Sequence, residues 1–119
     1  MLDLCRDDVE TIDVETVSLD EFFGENGAKI DVIKIDAEGS EPFIFDGMEN
    51  TLFNNPDIII ISEFHPDCIR KVGRDPDQYL RDIKKAGFEL RIIDESANVV
   101  DVKDDDIMNL PNCMLYLKS

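Results

Sequence analysis

The sequence predicts an α/β domain: a mainly parallel sheet with an antiparallel C-terminal strand and helices on its faces. Three observations carry that expectation. Apolar periodicity switches several times between period two and a period near 3.6, so strands alternate with single helices. The run Ile58 to Ile61 is unbroken, which suits a strand covered on both faces, as in a parallel sheet. The last alternating stretch follows another strand with no helix between them, so it is expected to run against its neighbours.

The elements follow in order. Val14 to Val17 alternates and reads as a short strand. Ser18 opens S-L-D-E, a capping box with Ser18 as N-cap and Glu21 at N3, and Leu19, Phe22 and Phe23 share a face of the helix it starts. Residues 30 to 35, I-D-V-I-K-I, form a β-rich stretch that runs into D-A-E-G. Pro42 then sits in the first turn of a helix, where its missing N–H costs nothing, and Ile44, Met48 and Leu52 recur every four residues down to Asn54. Residues 57 to 64 make the second buried strand, and His65 to Arg74 reads as a loop. Asp75-Pro76-Asp77-Gln78 starts another helix, with Tyr79, Leu80, Ile83 and Ala86 on its buried face, Lys84 and Lys85 in its last turn, and Gly87 just beyond. Phe88, Leu90 and Ile92 alternate, residues 95 to 98 turn, Val99 to Val102 returns, residues 103 to 112 loop, and Cys113, Leu115 and Leu117 close the sheet. The Phe22-Phe23 and Phe43-Phe45 pairs are assigned to the core, and mid-strand Lys34 to a pair with a carboxylate.

Composition bounds function. The 119 residues read as one domain, 1–119, with residues 1–13 flexible, and 43% hydrophobic content is enough for a core. A net charge of −16, from 28 acids against 12 bases, excludes phosphate-driven nucleic-acid binding and anionic membrane surfaces. No apolar run approaches the length of a bilayer span, and the N-terminus MLDLCRDD is acidic where a secretion signal is basic, so the expected location is cytoplasmic. Cys5, Cys68 and Cys113 are odd in number and widely spaced, which reads as reduced thiols rather than a disulfide framework or a zinc knuckle.

Ligands of open α/β sheets bind outside the carboxyl ends of the strands. The first buried strand ends at Asp36-Ala37-Glu38-Gly39-Ser40-Glu41 and the second at Glu63-Phe64-His65, so Asp36, Glu38, Glu63 and His65 are expected on one rim. Three readings stand open for this cluster. The carboxylates cap helix starts and stay solvated; they bind a hard cation such as Mg or Ca, although the spacing matches no named metal loop and no metal ligand is assigned; or they do general acid–base work, one carboxylate raising another's pKa. His65, the sole histidine, is the candidate base among side chains that titrate near neutrality.

The segments V-E-T-V-S-L-D-E-F-F, D-V-I-K-I-D-A-E-G-S-E-P, G-M, I-I-I-I-S-E-F, D-P-D-Q-Y-L and G-F-E-L together resemble the C-terminal half of FkbM-type methyltransferases. The resemblance implies a partial class I methyltransferase sheet, Rossmann-like, dependent on S-adenosylmethionine. Residues 30 to 35 would be its fourth strand, residues 57 to 62 its fifth, and the last two strands its reversed closing pair. It implies that Asp36 and Glu38 face the donor methyl group, that Asp36 and Ala37 touch the cofactor, and that Glu63 and His65 face a small-molecule or sugar hydroxyl that accepts the methyl group. The glycine-rich turn that holds the cofactor in that fold is missing here, so the chain is expected to be a fragment inactive by itself. The alternative is a non-catalytic α/β interaction module derived from that fold. In either case the edge of the 30–35 strand would be bare, and homo-oligomerisation through it is expected.

Overall fold

A computed structural model describes residues 10–25 and 27–119. The elements are α1 (Leu19–Phe23), β1 (Val32–Ile35), α2 (Glu41–Asp46), α3 (Glu49–Asn54), β2 (Ile59–Phe64), α4 (Pro66–Lys71), α5 (Pro76–Lys85), β3 (Glu89–Ile93), β4 (Val99–Asp101), a 3-10 helix at Asp104–Asn109, and β5 (Cys113–Lys118). The local signals explain most of them. Ser18 accepts the N–H of Glu21 at 3.1 Å and starts α1, as its capping box requires. Asp75 accepts the N–H of Asp77 at 2.9 Å, and Pro76 follows in the first turn of α5.

The strands form one five-stranded sheet in the order β1-β2-β5-β3-β4. Only β1 and β2 pair in parallel; β2 with β5, β5 with β3 and β3 with β4 are antiparallel. The expected mainly parallel sheet is therefore corrected to a mixed one. The cause is the place of β5. β1, β2 and β3 run in the same direction, but the reversed last strand inserts between β2 and β3 and turns what would be a parallel neighbour into two antiparallel ones. The reversal expected for that strand is present.

The second correction concerns coverage. Paired residues share a face, so Ile33, Ile35, Ile60, Ser62, Phe64, Leu115, Leu117 and Leu90 lie on one side. That side packs on Phe45, Met48, Ile69, Tyr79, Leu80 and Ile83 of the helical segments, and this is the core. Ile60, Leu80, Ile83, Leu115 and Leu117 are wholly out of water, and each contributes ~1.5–3 kcal/mol of hydrophobic free energy. Val32, Ile59, Ile61, Met114, Tyr116 and Ile93 point to the other side, and none belongs to that core. Among the described residues the helices pack on one face rather than on both.

Smaller departures have local causes. Residues 10–18 form no strand. The 41–54 helix is broken at Gly47 and Met48 into α2 and α3, although Ile44, Met48 and Leu52 all still face inward. The stretch after His65 is not a loop but α4. Ala86, Phe22 and Phe43 are exposed instead of buried, and Phe43 lies under the Arg74 guanidinium, 4.7 Å from the ring centre. Lys34 points to solvent with no ion pair among the described residues. Cys68 is disulfide-bonded, so the expectation of reduced thiols fails there, while Cys113 is a free, half-buried thiol. The flexibility expected of residues 1–13 falls mostly outside the described residues. No helix among them is long and apolar enough to cross a membrane.

Candidate functional site

The register of β1 on β2 builds the site. Ile35 lies opposite Ser62, so the next residues along the two strands, Asp36 and Glu63, come side by side as the chain leaves the sheet. The parity of the strands points both toward the face that the helices leave open. A tight turn then brings the third acid back. Ser40 donates its N–H to the Ala37 carbonyl at 3.1 Å, and the two residues between, Glu38 and Gly39, both have positive φ, 52° and 99°. Positive φ at both central positions is the signature of a type I′ turn. Glycine is required at the second of them: a Cβ on Gly39 would stand 2.4 Å from the carbonyl oxygen of Cys68 in α4. Glu38 adopts its left-handed conformation with a Cβ, which costs energy and puts its carboxylate against the other two.

Asp36, Glu38 and Glu63 each place one carboxylate oxygen within 4.8 Å of the others. This crowding has a clear electrostatic result. Glu63 is pushed up to about 7, first by its hydrogen bond with Asp36, then by burial, then by the negative charges of Asp36, Glu38 and Glu41. Glu63 Oε2 is fully buried and meets no N–H or hydroxyl donor. A proton shared with Asp36 resolves the apparent conflict between that orphaned oxygen and the hydrogen bond: two bare carboxylates repel, whereas a half-protonated pair attracts. The proton is carried on the Glu63 side, where burial and the neighbouring negative charges favour the neutral form. Three oxygens at this spacing also suit a hard cation, but the shared proton accounts for the close approach without one.

His65 has a different position. It is the N-cap of α4, and its Nδ1 accepts the N–H of Cys68 at 3.2 Å. That bond fixes neutral His65 with its proton on Nε2 and commits the nitrogen that could have taken one. It does not join the three carboxylates. Ala37 gives its N–H to Glu41. Asp67, on α4, is exposed and pairs with Arg70 at 3.0 Å, and Asp104 pairs with Lys84 at 3.1 Å.

Glu41 was not among the candidate residues, and it is the one that holds the rim together. It is fully buried, and its two oxygens accept the N–H groups of Ala37 and Gly39. The signal for it was present: an acid two residues after the turn glycine, immediately before a first-turn proline, has backbone donors within reach.

An open groove of about 860 Å³ lies elsewhere, between Phe45, Leu52, Phe53, Asp82, Lys85 and Phe88. It sits at the amino ends of β2 and β3, opposite the rim. The chemistry is read from the rim, because there the carboxylates touch one another and the strands end.

A family model described as a methyltransferase FkbM domain matches residues 3–90, which include β1, the turn, β2 and α5. No curated protein and no solved structure matches the chain.

Proposed function

The chain belongs to the FkbM methyltransferase domain family, and from that premise we propose that it is part of an S-adenosylmethionine-dependent methyltransferase acting on a hydroxyl of a small molecule or sugar. The observation that supports this reading is the meeting of the Asp36, Glu38 and Glu63 carboxylates at the carboxyl ends of the two parallel strands, where Glu63 is pushed up to about 7. Transfer to a hydroxyl oxygen requires that its proton go somewhere. A glutamate pushed up to about 7 is matched to that task at neutral pH: once ionised, Glu63 accepts a proton from a hydroxyl lodged against it. Glu38, held in its strained turn, adds negative charge that strengthens Glu63 as a base. His65 caps α4 through Nδ1 beside this site.

The described residues do not by themselves build a pocket for the methyl donor. The Ala37 and Gly39 N–H groups are both taken by Glu41, and among the described residues no glycine-rich turn stands beside β1. No step through the cofactor is therefore assigned to this chain. Asp36 and Ala37 border the place where the donor would enter from a complementing segment.

Calorimetry with S-adenosylhomocysteine tests the reading. Binding is expected for the chain extended upstream in its gene, and weak or no heat for residues 1–119. Absence of heat from both would overturn it. A second reading, an association module, is favoured by the edge of β1, which no further strand pairs among the described residues and whose Val32 is 53% exposed. Self-association through that edge is compatible with either reading.

A further inference from the structure

We propose that Glu41 is the positioning residue of the rim: its buried carboxylate clamps the Glu38–Gly39 turn and so presents Glu38 to the Asp36–Glu63 pair. The inference rests on reading the rim as the reacting site, but its argument is geometric. Glu41 stands at the start of α2 and is completely removed from water, a position that an ionised carboxylate tolerates only with strong partners. It has two. Oε1 accepts the N–H of Gly39 at 2.9 Å and Oε2 that of Ala37, so the two N–H groups flanking Glu38 converge on one side chain. Charge-assisted bonds of this kind are about twice as strong as neutral ones.

The turn needs such a clamp. Glu38 at φ 52° carries the cost of a left-handed residue with a Cβ, and Gly39 is pressed against the Cys68 carbonyl. Left alone, the backbone would relax toward negative φ and swing Glu38 away from Asp36 and Glu63. The clamp prevents this from the far side of the turn. The same carboxylate adds its own negative field to Glu63, after those of Asp36 and Glu38. It is therefore coupled to the pair through both geometry and charge.

The test uses Glu41→Gln. A carboxamide has one oxygen, so one of the two N–H groups loses its acceptor and faces an NH2 instead. Amide hydrogen exchange should then speed up at Ala37 or Gly39 by at least about tenfold relative to Ile60 and Leu115, the factor expected for loss of one charge-assisted bond. The Glu63 titration, followed by carboxyl carbon NMR, should move down from about 7. A residue that merely supports the fold would speed all core amides alike and leave the Glu63 midpoint in place, and that result overturns the proposal. Adding Glu38→Gly supplies a second check. Glycine adopts the turn without strain, so it should add more stability in the native chain, where the clamp holds the strain, than in the Glu41→Gln background, where the turn is free to relax. Equal effects in the two backgrounds would count against the clamp. If Glu41→Gln does not fold, the unmutated chain decides: Ala37 and Gly39 amides as protected as Ile60 support the clamp, and exchange at the rate of an exposed loop rejects it. None of these measurements uses a methyl donor, so failure of the methyl-transfer reading leaves their outcome intact.

Discussion

At the scale of single residues, the folded chain holds a carboxyl proton that the unfolded chain would release. Glu63 titrates at about 7 instead of 4.5. Between those values the native state binds more protons than the unfolded state, so stability falls as pH rises through that window. The contribution is complete below pH 4.5 and gone above 7. Glu63→Gln keeps a donor toward Asp36 at every pH and removes the penalty. The variant should match the native chain near pH 4.5 and exceed it by ~1–2 kcal/mol at pH 8, a figure discounted for the partial exposure of the site. Urea unfolding at both values checks this, and a difference that does not change with pH would refute the shared proton. This pair was legible in the sequence, because acids directly after two strands joined by one helix must meet at one rim. His65 follows Glu63 by two residues, but its ring turns to cap α4, a choice fixed by the helix that follows it and not by its own identity. Glu41 is legible only indirectly, from its spacing to the turn glycine and the first-turn proline, because its partners are backbone N–H groups rather than side chains.

At the scale of elements, short helices are held by contacts from outside themselves. α3 has no side-chain cap of its own at Met48. Asp20 of α1 supplies it, accepting the N–H of Asn50 at 3.0 Å and the N–H and hydroxyl of Thr51 at 2.8 Å each. Burial works to raise Asp20, but these hydrogen bonds outweigh it and hold the carboxyl below 3.8. A lowered value contributes stability above the unfolded one and loses it as pH falls through the folded one. Asp20→Ala should therefore cost ~1–2 kcal/mol at pH 7, as loss of a helix cap does, and much less near pH 3. Chemical denaturation at the two values measures it; an equal cost at both would assign Asp20 a role that does not depend on its charge. The same dependence on remote contacts explains what the sequence revealed. α1 and α5 begin with caps written into neighbouring positions, so they could be read directly. α4 begins with histidine followed by proline, an uncommon cap that looks like a turn. The α2–α3 break hides behind a four-residue apolar spacing that continues across it. The adjacency of β1 and β2 follows from the single helical connection between them, but the insertion of β5 between β2 and β3 depends on pairs such as Ile60 with Leu117, far apart in sequence.

At the scale of the whole molecule, one sheet face lies outside the core, and the two edge strands, β1 and β4, each have one neighbouring strand among the described residues. The unbroken Ile58–Ile61 run suits a strand covered twice, yet Ile59 and Ile61 join Val32, Tyr116 and Met114 on the side outside the core. β1 closes the sheet on that side with unpaired backbone groups. Such an edge pairs with another strand unless charge or proline blocks it, and only Lys34 among its four residues is charged. Against pairing stands the net charge of −16, which makes copies repel at long range. The two forces differ in their response to salt. At ~0.15 M ionic strength the screening length is about 8 Å, and at 1 M about 3 Å, so salt weakens the repulsion while leaving the apolar contact intact. Association should therefore increase with salt, the reverse of an interface held by opposite charges. Light scattering on a sizing column at several salt concentrations would show the mass per particle rising above 13.6 kDa. Val32→Lys tests the location: the residue is more than half exposed, so the fold should persist by circular dichroism while the particle returns to the mass of one chain at every salt concentration. A native chain that stays monomeric in high salt would show that the β1 edge is protected without a partner, and an associated Val32→Lys variant would place the interface elsewhere on the molecule.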